Sequence, residues 1–164
     1  MDPFDLLVLK ALSATLESIT VANGYQHDLA GAVFRGRTRF DQNDPLPMLA
    51  IIEKPIGPDE IESPTGSSTA LQSLPLLVQG FVKEDPTNPT DTSYRLMADV
   101  RKALAVERKR GRGSDIFGMG PRIAGLHIGR GVVRPPDAAI SAEAFFWLPI
   151  TIEYGEDESD PYKV

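Results

Sequence analysis

Ala142-Glu143-Ala144-Phe145-Phe146-Trp147-Leu148-Pro149-Ile150-Thr151-Ile152-Glu153-Tyr154 is a strand-forming run close to the end of the chain, and its two faces differ. With a period of two, Ala142, Ala144, Phe146, Leu148, Ile150, Ile152 and Tyr154 form an unbroken apolar row that belongs against a core. The other row, Glu143, Phe145, Trp147, Pro149, Thr151 and Glu153, is half polar and half aromatic. Water alone does not call for so much aromatic surface, so this second face is expected to meet either the chain's own loops or a neighbouring subunit. Pro149 has no N–H for a ladder, which points to an edge strand or a bulge.

Working back from this run, residues 123–133 place Ala124, Leu126, Ile128 and Val132 on one side and read as a fourth strand. The turn Arg134-Pro135-Pro136-Asp137 makes the last two strands antiparallel neighbours. Residues 111–121 are glycine-rich and read as a loop. Before them, residues 91–108 read as a helix capped by Asp91 or Thr92, apolar at Leu96, Met97, Val100 and Leu104. Its cations gather at the carboxyl end, where the helix dipole favours them, and Gly111 and Gly113 stop it.

Residues 76–84 give a third strand in which Gly80 marks either a weak point or a close backbone approach. Residues 55–75, rich in Pro, Gly and Ser, read as a long loop of the kind that is often functional. Residues 32–40 and 48–54 are two strands separated by turn chemistry at Asn43, Asp44, Pro45 and Pro47, and a hairpin is expected. The chain opens with a helix over residues 3–21, capped by Asp2, with Pro3 at the first helical position. Leu9, Leu12, Leu16 and Ile19 form its core stripe, with Leu6 and Leu7 as a second row, and Asn23-Gly24 ends it. The expected fold class is α+β: two helices packed on one face of a largely antiparallel sheet of about five strands, in the order α-β-β-β-α-β-β. Residues 1–164 are read as one domain, with a long loop at 55–75 and an acidic tail at 155–164.

A chain of 164 residues can bury ~70% of the surface its unfolded form exposes, so a core needs no staple. There are no cysteines, and the two histidines, His27 and His127, are far apart, which excludes a disulfide framework and a zinc site of usual spacing. Apolar stretches are too short to span a bilayer, and the acidic start Met1-Asp2-Pro3-Phe4-Asp5 is unlike an export signal; a protein made in the cytoplasm, with no membrane partner, is expected. The net charge of −6 argues against coating nucleic acid. The charge is uneven, however: Arg35, Arg37 and Arg39 alternate, residues 108–112 are nearly all basic, and residues 156–160 are acidic.

No catalytic constellation emerges. The glycines at 118, 120 and 125 follow a loop and lead into a strand, whereas a phosphate cradle needs a glycine turn feeding a helix. Neither histidine sits in a triad-type motif, and the carboxylates form no paired-acid site. A non-enzyme with no cofactor and no metal is expected. The basic run is already explained by the helix dipole, with phosphate contact as the alternative. Three arginines in a row on a strand face cannot be buried unpaired, so they are expected to meet solvent, phosphate or an acidic surface such as residues 156–160 of a neighbouring copy.

The helix at 3–21 followed by Asn23-Gly24-Tyr25, the run Pro47-Met48-Leu49-Ala50-Ile51-Ile52-Glu53-Lys54, and Phe146-Trp147-Leu148-Pro149-Ile150-Thr151-Ile152-Glu153-Tyr154 occur in an order that resembles the tail terminator (tail completion) proteins of long-tailed bacteriophages. The resemblance covers nearly the whole chain and lies in the order of elements rather than in a sharp motif. It implies a structural virion protein: a hexameric ring that caps the tail tube, stops its polymerisation and offers its other face to a neck or head completion protein. The partners implied are self, the tail tube protein, the neck protein and DNA crossing the lumen without sequence-specific binding; the location implied is the head-proximal end of the tail. Arg35, Arg37, Arg39, Ile56, Ile61, Leu71, Arg110, Arg112, Phe117, Phe145 and Trp147 are the expected ring or tube contacts. A head completion or neck connector protein is the nearest alternative, and a small enzyme with a site assembled between subunits is the alternative from another class.

Overall fold

The structure, a computed structural model, describes residues 1–54, 69–110, 112 and 115–163. The chain order is α1 (Phe4–Glu17), β1 (Val33–Arg35), β2 (Met48–Glu53), β3 (Thr69–Val82), α2 (Asp91–Arg110), β4 (Ile123–Ile128), β5 (Val132–Arg134) and β6 (Ala144–Asp157). Short 3-10 turns lie at Val21–Asn23, Ile116–Gly118 and Gly120–Arg122. The class is α+β, with two helices and a mixed six-stranded sheet ordered β1-β2-β3-β6-β4, β5 also pairing with β6.

The apolar row of β6 organises the core. Ala144, Phe146, Leu148, Ile150, Ile152 and Tyr154 are all buried, as their alternation requires. Their antiparallel partners on β3 bring Leu76 opposite Ile150 and Val78 opposite Leu148, so two fourteen-residue strands build one apolar face. Both helices cover it. α1 buries Phe4, Val8, Leu12 and Leu16, four residues apart, and the Phe4 ring lies 5.6 Å from that of Tyr154. α2 buries Leu96, Met97, Val100, Ala103 and Leu104. Each large aliphatic side chain so enclosed contributes about 1.5–3 kcal/mol.

Several expectations are corrected. α1 stops at Glu17 rather than near residue 21, because Thr20 accepts from the Asn23 amide (3.2 Å) and starts a separate turn that Gly24 closes at φ +85°. Asp2 does not cap α1; Pro3 takes that position, and Asp2 pairs with Lys10. The first two strands form no hairpin: β1 and β2 are parallel, and only residues 33–35 of the expected 32–40 are strand. Gly36, at φ +64°, turns the chain out of β1, and residues 37–47 cross back over the sheet end. Residues 69–75 belong to β3 and not to a loop, while 55–68 lie outside the described residues. Residues 155–157 of the expected acidic tail extend β6. The expected fourth strand divides into β4 and β5, which pair with different parts of β6 and bring the strand count to six.

β6 is not an edge strand; β3 flanks it on one side, and β4 and β5 on the other. Pro149 is tolerated because of the break between β4 and β5. The Pro149 carbonyl accepts from Gly129 N–H at 2.8 Å, so its nitrogen faces the same side, where residues 129–131 interrupt the neighbouring ladder. Pro75 follows the same rule on β3. Its carbonyl accepts from Lys54 N–H at 3.0 Å, just past the end of β2, so the missing donor there leaves no strand partner unsatisfied.

Candidate interaction surface

The sheet face away from the helices is composed of cross-strand ranks. Met48, Phe81, Phe145 and Arg134 make the first, Ala50, Gln79, Trp147 and Val132 the second, and Ile52, Leu77 and Pro149 the third. The first rank is closed over by residues 37–47: the Phe40 ring lies 5.0 Å from Phe81, and Phe81 lies 6.3 Å from Phe145. Farther along, cover is lost; Trp147 is half-buried, and Pro149 and Val132 are exposed. Between the two regimes lies a groove of about 790 Å³. Its floor is Met48, Ile52, Gln79, Phe81 and Trp147, with the 38–46 segment on one side and residues 140–143 on the other.

Arg37 holds the first wall in place. Its guanidinium lies 4.6 Å from the Phe34 ring centroid and 5.4 Å from that of Phe40, donates from Nε to the Arg39 carbonyl (3.2 Å) and pairs with Asp44 at 2.5 Å. Such a stacked, forked contact is one that Lys could not copy. The three arginines therefore do not share a strand face: Arg35 is exposed on β1, Arg37 lies inside the crossing segment, and Arg39 is exposed at the groove. The positive φ of Gly36 is the cause, since it ends the alternation.

Other expected contacts divide similarly. Trp147 is in the groove, and Leu71, 67% exposed, lies at the far end of the same face opposite Gly155. Phe145 is 1% exposed and stacks 5.4 Å from Trp147, so it supports that ring from within the subunit rather than facing a neighbour. Phe117 is half-buried against the core at φ +57°. Its N–H donates to the buried carboxylate of Glu107 at 2.8 Å, which holds this left-handed conformation. Arg110 is tied within the chain to Glu107 (3.0 Å) and Asp115 (3.1 Å). Arg112 is exposed beside β4, and Ile56 and Ile61 lie outside the described residues.

One feature of the groove has no sequence signal. The β3–β6 register brings Val82 opposite Ala144, so Glu84 and Glu143, each just past its strand, meet at the rim. Burial first, then the charge of Glu84 and a hydrogen bond to it, raise the Glu143 carboxyl above its ordinary value of 4.5, with Lys83 opposing. A carboxyl whose pKa is higher folded than unfolded adds stability that is complete below 4.5 and is lost as pH rises through the folded value. Glu143→Gln is therefore expected to be more stable than the parent at pH 7, with the gap closing below about pH 4.5 in urea titrations run across pH. A gap that stayed constant with pH would remove this account of the pair.

Among the described residues, no group of three His, Asp or Glu side chains is arranged to hold a metal ion, and no helix is long and apolar enough to cross a membrane. His127 pairs with Glu153 at 3.2 Å on the open end of the face. Comparison with protein-family models gives no match, and a search of curated proteins gives none either.

Proposed function

We propose that this chain is a structural subunit of a long-tailed phage virion: a tail terminator that forms a ring on the last ring of the tail tube, stops its growth and presents its other side to the neck. DNA passes through the lumen without base-specific contacts. The observation that carries the reading is the sheet face that the described residues leave half covered. Trp147 and Val132 on one cross-strand rank, and Leu77 and Pro149 on the next, have little or partial cover among the described residues, which suits a surface completed by assembly. The resemblance in element order, helix first and long apolar strand last, supports the same reading.

Electron microscopy of the purified chain mixed with polymerising tube protein tests it. Tubes capped at one end by a ring, and shorter on average than tubes grown alone, are expected. Unchanged tube length at a several-fold molar excess of the chain, with no density at either end, would refute the reading.

A further inference from the structure

On one side the sheet ends at β4, whose outer edge has no strand partner among the described residues. Gly129 N–H donates to the Pro149 carbonyl (2.8 Å), and the β4–β6 register sets His127 opposite Thr151 and Gly125 opposite Glu153. Backbone groups alternate sides along a strand, so Gly125, His127 and Gly129 turn theirs toward β6. Leu126 and Ile128 turn theirs away. Each of these two presents one N–H and one C=O at the open edge, which is what a further strand would pair with. The bulge between Ile123 and Gly125 confines this regular edge to residues 125–128.

Beside residues 124–128 lies a second groove, of about 410 Å³, walled by Arg108, Arg112 and Ile116, and no carboxylate is among its described lining residues. The acids nearby are engaged elsewhere. Glu107 and Asp115 hold Arg110 (3.0 and 3.1 Å), and Glu153 pairs with His127 (3.2 Å) on the sheet face away from the helices. Arg108 and Arg112 are exposed, with no ion pair among the described residues. Leu126 is buried in the face that α2 covers, so both arginines stand on that side of the edge. A phosphate backbone offers acceptors only and would leave the Leu126 and Ile128 carbonyls unmet. A peptide strand offers donors and acceptors together. In an added antiparallel strand, the residues opposite Leu126 and Ile128 share their face and lie toward the arginines, and the residue between them lies toward His127.

We propose that the β4 edge is a docking site for an extended acidic peptide segment of a partner protein, which adds an antiparallel strand to the sheet and sets carboxylates at alternate positions against Arg108 and Arg112. The backbone ladder supplies affinity, and the two guanidinium groups select the acidic sequence. The site lies apart from the Trp147 groove and stands whether or not the chain caps a tube.

Fluorescence anisotropy of a labelled Thr-Glu-Thr-Glu-Thr-Glu-Thr peptide titrated with the full chain tests it, and backbone amide shifts by NMR locate the contact. Saturable binding with a Kd below about 1 mM is expected, the Leu126 and Ile128 amides shifting more than those of Gly125 and His127. Arg108→Ser/Arg112→Ser should bind the peptide at least tenfold more weakly while retaining the parent's circular dichroism. Methylated peptides test the ladder with the protein unaltered. The glutamates would face Leu126 and Ile128 in hydrogen-bonded pairs, so methylating their backbone nitrogens should weaken binding at least tenfold, whereas methylating the threonine nitrogens should leave it nearly unchanged. Absence of binding at about 1 mM, equal effects of the two methylations, or an arginine variant that binds like the parent would each overturn the proposal. A thymidylate oligonucleotide of equal charge that bound more tightly than the peptide would mark the arginines as a phosphate surface and overturn it as well.

Discussion

Gly80→Ala is expected to destabilise the protein by about 3 kcal/mol, although alanine is ordinarily no worse than glycine in a strand. Gly80 pairs with Phe146 across the central β3–β6 ladder, and the Phe146 ring occupies the space a side chain at position 80 would need. A Cβ at position 80 would sit 2.0 Å from Cε1, 2.5 Å from Cζ and 2.7 Å from Cδ1 of that ring. The ring is fully buried and lies in the row that both helices cover, so it has no solvent side to swing into. The added methyl must therefore displace Phe146 or part the strands. Chemical denaturation measures the loss, and Phe146→Leu in the same chain should recover part of it by giving back the space. Equal stability of Gly80→Ala and the parent would show that the ring moves freely and would remove the glycine from the account of the core.

The same glycine shows what the sequence makes legible. Its position inside a strand pattern is itself a signal of close approach, and the partner is an aromatic residue from the run that dominates the end of the chain. The two helices and β6 are likewise readable, because apolar side chains recur at three and four residues in the helices and at two in the strand, and burial follows that spacing. The pairing sense of β1 and β2 is not readable. Proline and aspartate in residues 41–47 indicate a turn, but a turn does not say whether the chain reverses beside its strand or crosses over the sheet end. What decides is tertiary: Arg37 between two rings, and Phe40 on Phe81.

Prolines mislead in the same way. Pro75 looks like the limit of a strand and Pro149 like the mark of an edge, yet each faces a place where the neighbouring strand has already stopped. Whether a missing donor matters depends on the length of the strand alongside, which one segment of sequence does not carry. The candidate surface was half legible for a related reason. Trp147 stands out by composition and is in the groove, but Phe145, its companion in the alternating row, is covered by residues far away in sequence. Glu84 and Glu143 meet only through strand register.

Asp99→Ala is expected to cost about 3 kcal/mol or more, the second large effect, and to act on a part of the molecule remote from the groove. Asp99 is 5% exposed on α2, and one of its oxygens, Oδ2, accepts from the Gln26 amide (2.9 Å), the His27 amide (3.1 Å) and His27 Nδ1 (2.7 Å). A carboxylate in this position makes Nδ1 the donor, so the ring and both amides are oriented by a single acceptor. The segment they belong to leads from α1 to β1 and anchors itself through Leu29, which is fully buried. Removing the carboxylate leaves partly buried N–H groups without an acceptor, each costing about 1–3 kcal/mol before any relaxation. Asp99→Asn can keep one oxygen in place but loses the charge, so it should fall between the parent and Asp99→Ala. Hydrogen exchange locates the effect: the Gln26 and His27 amides should lose protection in Asp99→Ala by a larger factor than the amides of β3 and β6, since those two strands hold each other along their whole length. Uniform loss of protection across the chain would mean that Asp99 supports the global fold alone, and that the joint between α1 and β1 has no separate stability for it to control.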